Sequence, residues 1–111
     1  MRADFDRDGA ALIRGLIPGA TCERLHGAIE QCREHPSEHY ALLSKPGRAA
    51  VDSDLFRWFD NAVIREVLFT SAFPALAAEL LDADAVVLVE DQWFASAPDA
   101  DTPSPWHQDE P

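Results

Sequence analysis

Ala85-Val86-Val87-Leu88-Val89-Glu90-Asp91-Gln92-Trp93-Phe94-Ala95, with Pro105-Trp106-His107-Gln108-Asp109-Glu110-Pro111 a short way beyond it, decides how this chain is read. The first stretch opens on consecutive β-branched and aliphatic residues, which predicts a strand over 85–95. Ser96 to Pro105 holds three prolines and two aspartates, the composition of a loop. Extended structure is expected to resume at Trp106. Side chains two apart on a strand share a face, so His107 and Asp109 are expected to project together, with Gln108 turned away. An imidazole beside a carboxylate is two thirds of the 2-His-1-carboxylate set, which leaves positions on an iron(II) ion open for a cosubstrate and dioxygen. Nitrogen with hard oxygen suits Fe(II), whereas thiolates would favour zinc. A bare His-x-Asp tripeptide is far more often an ordinary surface pair. The Trp before the His, the Pro-bounded loop and the strand ending in Asp91-Gln92 raise it above that background.

Upstream, helices dominate. Ala10 to Ile17 is an aliphatic run between the turn signals Asp8-Gly9 and Pro18-Gly19, and is expected to be a short buried strand. Thr21 is the expected N-cap of a helix whose apolar face holds Cys22, Leu25, Ile29 and Cys32, and which Pro36 ends near His35. Residues 36–53 are expected to form a long loop. A helical pattern begins at Asp54 with Leu55, Phe56 and Phe59 on one side, continued by Val63, Ile64, Val67 and Leu68. Ser71 and Pro74 mark a new helix, with Leu76, Leu80 and Leu81 as its buried side, ending at Asp82. Helices first and strands last predict an α+β fold.

Composition narrows the class of partner. With 111 residues the chain is long enough for one small domain, and its 47% apolar and 26% charged residues fit a globular protein. Acidic residues outnumber basic ones 20 to 9, a formal charge of −11. Such a surface repels phosphate backbones and anionic headgroups, so neither nucleic acid nor membrane is an expected partner. No apolar run approaches the ~20 residues that cross a bilayer. The acidic start Met1 to Gly9 lacks the apolar region of a signal peptide, so the expected location is cytoplasmic. Cys22 and Cys32 lie ten apart on one predicted helix, or ~15 Å, too far to bridge.

Asp91-Gln92-Trp93-Phe94, a Pro-containing loop and Pro105-Trp106-His107-Gln108-Asp109 resemble the phytanoyl-CoA dioxygenase family. The opening Phe5 to Ile17, ending in Arg14-Gly15-Leu16, resembles the same family's N-terminal strand. The resemblance covers essentially the whole chain. It implies N-terminal helices packed on a double-stranded β-helix (jelly-roll) core, truncated here, so that 1–111 is a single partial domain: a strand and helical region over 1–84, then the first core strands over 85–111. It implies Fe(II) as cofactor, 2-oxoglutarate as cosubstrate, and hydroxylation of a small organic substrate with release of succinate and CO2. His107 and Asp109 then become the first two iron ligands. The second His ligand and the Arg that holds 2-oxoglutarate lie downstream in the family, so the chain alone is expected to be inactive. Many relatives carry a lysine where this chain has Ser96, so the contact made by that lysine is altered here.

Gln92, Ser96 and Trp106 are the expected substrate or cosubstrate contacts. Gln92 reads equally well as a structural amide, since buried polar groups must be paired in either role. His35 and His39 have the i, i+4 spacing of a zinc pair, but Pro36 between them breaks the helix this needs. Cys22 with His26, and Phe56, Trp58 and Phe59, read as packing residues. Two other readings stay open: a non-catalytic acidic module that binds a protein partner through 54–82, and a different metal-dependent β-barrel enzyme. An unpaired sheet edge along Val86 to Val89 also predicts self-association.

Overall fold

The computed structural model describes residues 1–40 and 51–96. Trp106, His107 and Asp109 lie outside the described residues.

A helix not anticipated from the sequence, α1 (Arg2–Asp8), opens the chain. Gly9 closes it at φ 71°, a left-handed cap whose N–H donates to Phe5 O. The strand expected over 10–17 does not form. Its residues run irregularly to Pro18, Gly15 turns the backbone at φ 69°, and Leu12 is exposed. No strand among the described residues lies beside this segment, so its backbone has no ladder to join.

The first helix that the sequence predicts, with its expected cap at Thr21, is present as α2 (Gly19–Glu34). It starts at Pro18, whose carbonyl accepts from Thr21 N–H at 2.9 Å, so Thr21 lies inside the helix and is not its cap. Its buried stripe centres on Ala28 and Cys32, with Leu25 and Ile29 packed beside them. Cys22 falls at the edge of that stripe and is exposed. Both cysteines are free.

The helix expected from Asp54 is replaced by three shorter pieces. Val51–Leu55 is a strand, β1, which takes the last three residues of the expected loop and the first two of the expected helix. Phe56 then turns at φ 58° into a single 3-10 turn, Arg57–Phe59. Asn61 starts α3 (Ala62–Thr70) by accepting the N–H groups of Val63 and Ile64 on its side chain at 3.0 and 3.2 Å. Ile64 and Val67 are buried, while Phe59 is exposed and stacks on Trp58 at 4.0 Å. Next, α4 (Phe73–Leu81) carries its Pro in the first turn, as the sequence indicated, and ends at Asp82 in the left-handed region. Leu81 is exposed.

Of the strand expected over 85–95, only Gln92–Ser96 forms one, β2. It pairs antiparallel with β1, Leu55 opposite Gln92, Ser53 opposite Phe94 and Val51 opposite Ser96. Residues 85–91 stay outside regular secondary structure, although Val86 and Leu88 are half-buried and Val87 and Val89 are exposed. That alternation is strand-like. Among the described residues the ladder ends at Leu55 opposite Gln92, because Phe56 turns away at φ 58° and does not extend β1 alongside residues 85–91. The result is an α+β arrangement. Trp93 on β2 joins Ala28, Cys32 and Ile64 in the buried core, with Trp58, Val63 and Ala95 around it.

Candidate functional site

Two of the expected site residues, Gln92 and Ser96, stand at the two ends of β2. Trp93 and Ala95 point from that strand into the core, so Gln92, Phe94 and Ser96 share the opposite face. The register places Leu55, Ser53 and Val51 of β1 on that same face. Gln92 Nε2 donates to Ser53 Oγ at 2.9 Å, which fixes the plane of the Gln92 amide. Ser53 is 5% exposed, whereas Phe94 is 65% exposed in the middle of the face. Ser53 carried no signal in the sequence, because its surroundings read as loop and it acquires its place only through pairing with β2.

A cluster on the other face seats the sheet on the helices. Asp54 is fully buried and accepts from Arg57 Nη1 at 2.9 Å, from Ser37 N at 3.0 Å, from the Ser37 hydroxyl, and from Leu55 N at 2.9 Å. Arg57 Nη1 also donates to His35 O at 3.0 Å and Cys32 O at 3.3 Å, so it satisfies the last carbonyls of α2. Its other donors reach Asp60. Burial pushes the Asp54 carboxyl upward, but the donors from Ser37, Arg57 and Leu55 outweigh it and hold the group below the usual carboxylate range. Burial pushes the Cys32 thiol up, which leaves it protonated and a packing residue.

Asp91 adjusts the entry to β2. Its carbonyl accepts from Phe56 N at 3.0 Å, and its carboxylate accepts from Trp58 N at 3.1 Å. The positive φ of Phe56 is therefore held from across the sheet. His39 packs edge-on against the Phe56 ring at 5.1 Å. His35 lies just past the end of α2, so the His35–His39 pair has no common helix, as Pro36 predicts.

The phytanoyl-CoA dioxygenase (PhyH) family profile matches residues 5–111. The chain belongs to the phytanoyl-CoA dioxygenase family. Comparison with curated proteins and with solved structures gave no match. The family match runs through Gln92 and Ser96 and on through His107 and Asp109. Among the described residues, no group of three His, Cys, Asp or Glu side chains is placed to hold a metal ion. Among them, too, no helix is long and apolar enough to cross a membrane.

Proposed function

We propose that this member of the phytanoyl-CoA dioxygenase family works as an Fe(II)- and 2-oxoglutarate-dependent dioxygenase built on a jelly-roll core. Its product would be a hydroxylated small organic substrate, with 2-oxoglutarate leaving as succinate and CO2. The family match over residues 5–111 carries this reading. Imidazole nitrogen from His107 and carboxylate oxygen from Asp109 are the donor types that suit the metal. Bound iron(II) would supply activation of dioxygen, one atom going to the substrate and the other to succinate. The remaining roles fall to the chain itself. Gln92, its amide plane fixed by Ser53, would orient a polar group of the substrate. Trp106, next to His107 in sequence, would contact the substrate or cosubstrate. Ser96 would offer a neutral hydroxyl where many relatives carry a lysine.

Anaerobic titration of the protein with Fe(II) and then 2-oxoglutarate, followed by the visible charge-transfer band, tests the assignment. In a form of the protein that also carries the family's second His ligand and its 2-oxoglutarate-binding Arg, the band is expected to form and to be lost in both His107→Ala and Asp109→Ala, because each removes one of the protein ligands. A band that persists unchanged in both variants overturns it.

A further inference from the structure

We infer that Trp58, Trp93 and Tyr40 form an oxidation relay through the core, in which an oxidising equivalent taken up at Trp58 passes by way of Trp93 and comes to rest on Tyr40 as its phenol proton moves to Asp52. An oxidant that escapes dioxygen activation is one source of that equivalent under the oxygenase reading, but the relay itself does not depend on that reading. Trp93 lies in the buried cluster with Ala28, Cys32 and Ile64, and both Tyr40 and Trp58 pack against that cluster. The sheet register fixes the inner end. Asp54 stands opposite Trp93 and Asp52 opposite Ala95, so Asp52 and Trp93 are diagonal neighbours on one face, roughly 7–8 Å apart. Tyr40 Oη donates to Asp52 Oδ1 at 2.8 Å, while Arg33 Nη2 holds the other oxygen, Oδ2, at 3.2 Å. Trp58 approaches β2 from its start, because its backbone N–H donates to Asp91 Oδ1 at 3.1 Å, two residues before Trp93. Its ring stacks on Phe59, which is 61% exposed, so this end of the relay reaches the surface.

Hydrogen bonding gives the relay its direction. Both indole Nε1 atoms are buried, and neither has an acceptor among the described residues. Buried donors are nearly always paired, so two unpaired ones in one small core require a physical account. An indole that loses an electron becomes acidic at this N–H. With no acceptor beside it the proton stays, and the radical cation remains the stronger oxidant. The phenol differs in one respect, since its O–H already points at a carboxylate oxygen. One electron passes from Tyr40 to the oxidised indole, the Tyr40 O–H bond breaks, and the proton bonds to Asp52 Oδ1. The indole is thereby restored. The products are a neutral tyrosyl radical and a protonated carboxyl group, and the outside oxidant has gained the one electron that Tyr40 has lost.

Tyr40 is the single tyrosine of the chain, and only three tryptophans are present, so the radicals can be assigned from their spectra once Trp106→Phe removes the third indole. Photogenerated ruthenium(III) tris-bipyridine serves as the one-electron oxidant. Neither iron nor 2-oxoglutarate is added, so the outcome leaves the oxygenase reading to its own test. Transient absorption of the Trp106→Phe protein is expected to show an indole radical cation first, and a tyrosyl radical that rises as the indole signal decays. In that background Tyr40→Phe should lengthen the indole signal about tenfold or more. Asp52→Asn keeps an oxygen that accepts the hydrogen bond but is a far weaker base, and it should slow the tyrosyl rise about tenfold with the thermal midpoint little changed. Trp93→Phe should lower the tyrosyl yield while Trp58 is still oxidised; Asp52→Asn, which leaves the apolar core untouched, supplies the second reading. A tyrosyl radical that forms with no indole precursor, or one that rises as fast in Asp52→Asn as in the parent, overturns the inference. So does an oxidising equivalent that ends on the Cys32 thiol of the same cluster with no tyrosyl signal.

Discussion

Arg57 donates from one nitrogen to the Asp54 carboxylate at 2.9 Å and to His35 O at 3.0 Å, which ties β1 to the end of α2. Both side chains are buried, with Asp54 at 0% and Arg57 at 6% exposure. A pair this enclosed is most costly when one member is removed, because the other charge is left without a partner. Asp54→Ala or Arg57→Ala should each destabilise the fold by about 3–5 kcal/mol. Urea unfolding followed by tryptophan fluorescence measures the difference, and a loss of under about 1 kcal/mol in both variants contradicts the role given to the pair.

The same carboxylate sets part of the acid limb of stability. The folded Asp54 titrates below its unfolded value, so its contribution is complete above the unfolded pKa of about 3.9. It fades as pH falls from there through the lower folded value, because protonation then costs the donors their acceptor. Asp54→Asn should be less stable near neutrality and show a shallower loss between about pH 4 and pH 2. Thermal midpoints across that range check it; parallel curves for parent and variant would rule it out.

Asp91 is expected to matter more than an exposed acid on a sheet margin. Its carboxylate takes the Trp58 N–H at 3.1 Å while its carbonyl takes that of Phe56, and together they hold a left-handed turn at a non-glycine residue. Asp91→Ala should cost about 1–3 kcal/mol, with Asp91→Asn closer to the parent because the amide oxygen still accepts. Equal losses in the two variants would show that the charge matters and the hydrogen bond does not.

Val87 and Val89 are 85% and 82% exposed on an extended segment with no strand partner among the described residues. Unpaired apolar edges recruit other chains, so the 111-residue chain should self-associate as its concentration rises. Val87→Lys with Val89→Lys should shift it toward monomer in size-exclusion chromatography with light scattering. An unchanged elution profile removes this edge from the account.

In a form of the protein that also carries the family's downstream His and Arg, Ser96→Lys should leave 2-oxoglutarate affinity equal or tighter, since it adds a cation where the family resemblance implies one. The charge-transfer titration reads this directly. Marked weakening would place Ser96 away from the cosubstrate carboxylate.

Local signals in the sequence were read correctly where one residue type has one strong consequence. Pro36 ended α2, Pro74 opened α4 within its first turn, and the 3.6-residue pattern located α2 and α4 to within two or three residues. The family was legible as well, because Asp91-Gln92-Trp93-Phe94 with Trp106-His107-Gln108-Asp109 is specific at the level of side chains. Strand pairing was not legible. Ala10–Ile17 and Ala85–Asp91 have the composition of strands yet find no ladder among the described residues, while Val51–Leu55, with two aspartates in five residues, becomes a strand. A strand is stabilised by hydrogen bonds to a distant segment, and composition does not say which segment arrives.

The sequence by itself therefore determined the helices at 19–34 and 73–81, the family, and Gln92 and Ser96 as residues to examine. Only the tertiary structure decided that Asp54 is buried and balanced by Arg57, and that Ser53 lies within hydrogen-bond reach of Gln92. It also decided that Phe94 stands exposed between Gln92 and Ser96. The reason is separation along the chain: Ser53 and Gln92 are 39 residues apart, and helix periodicity reaches only four.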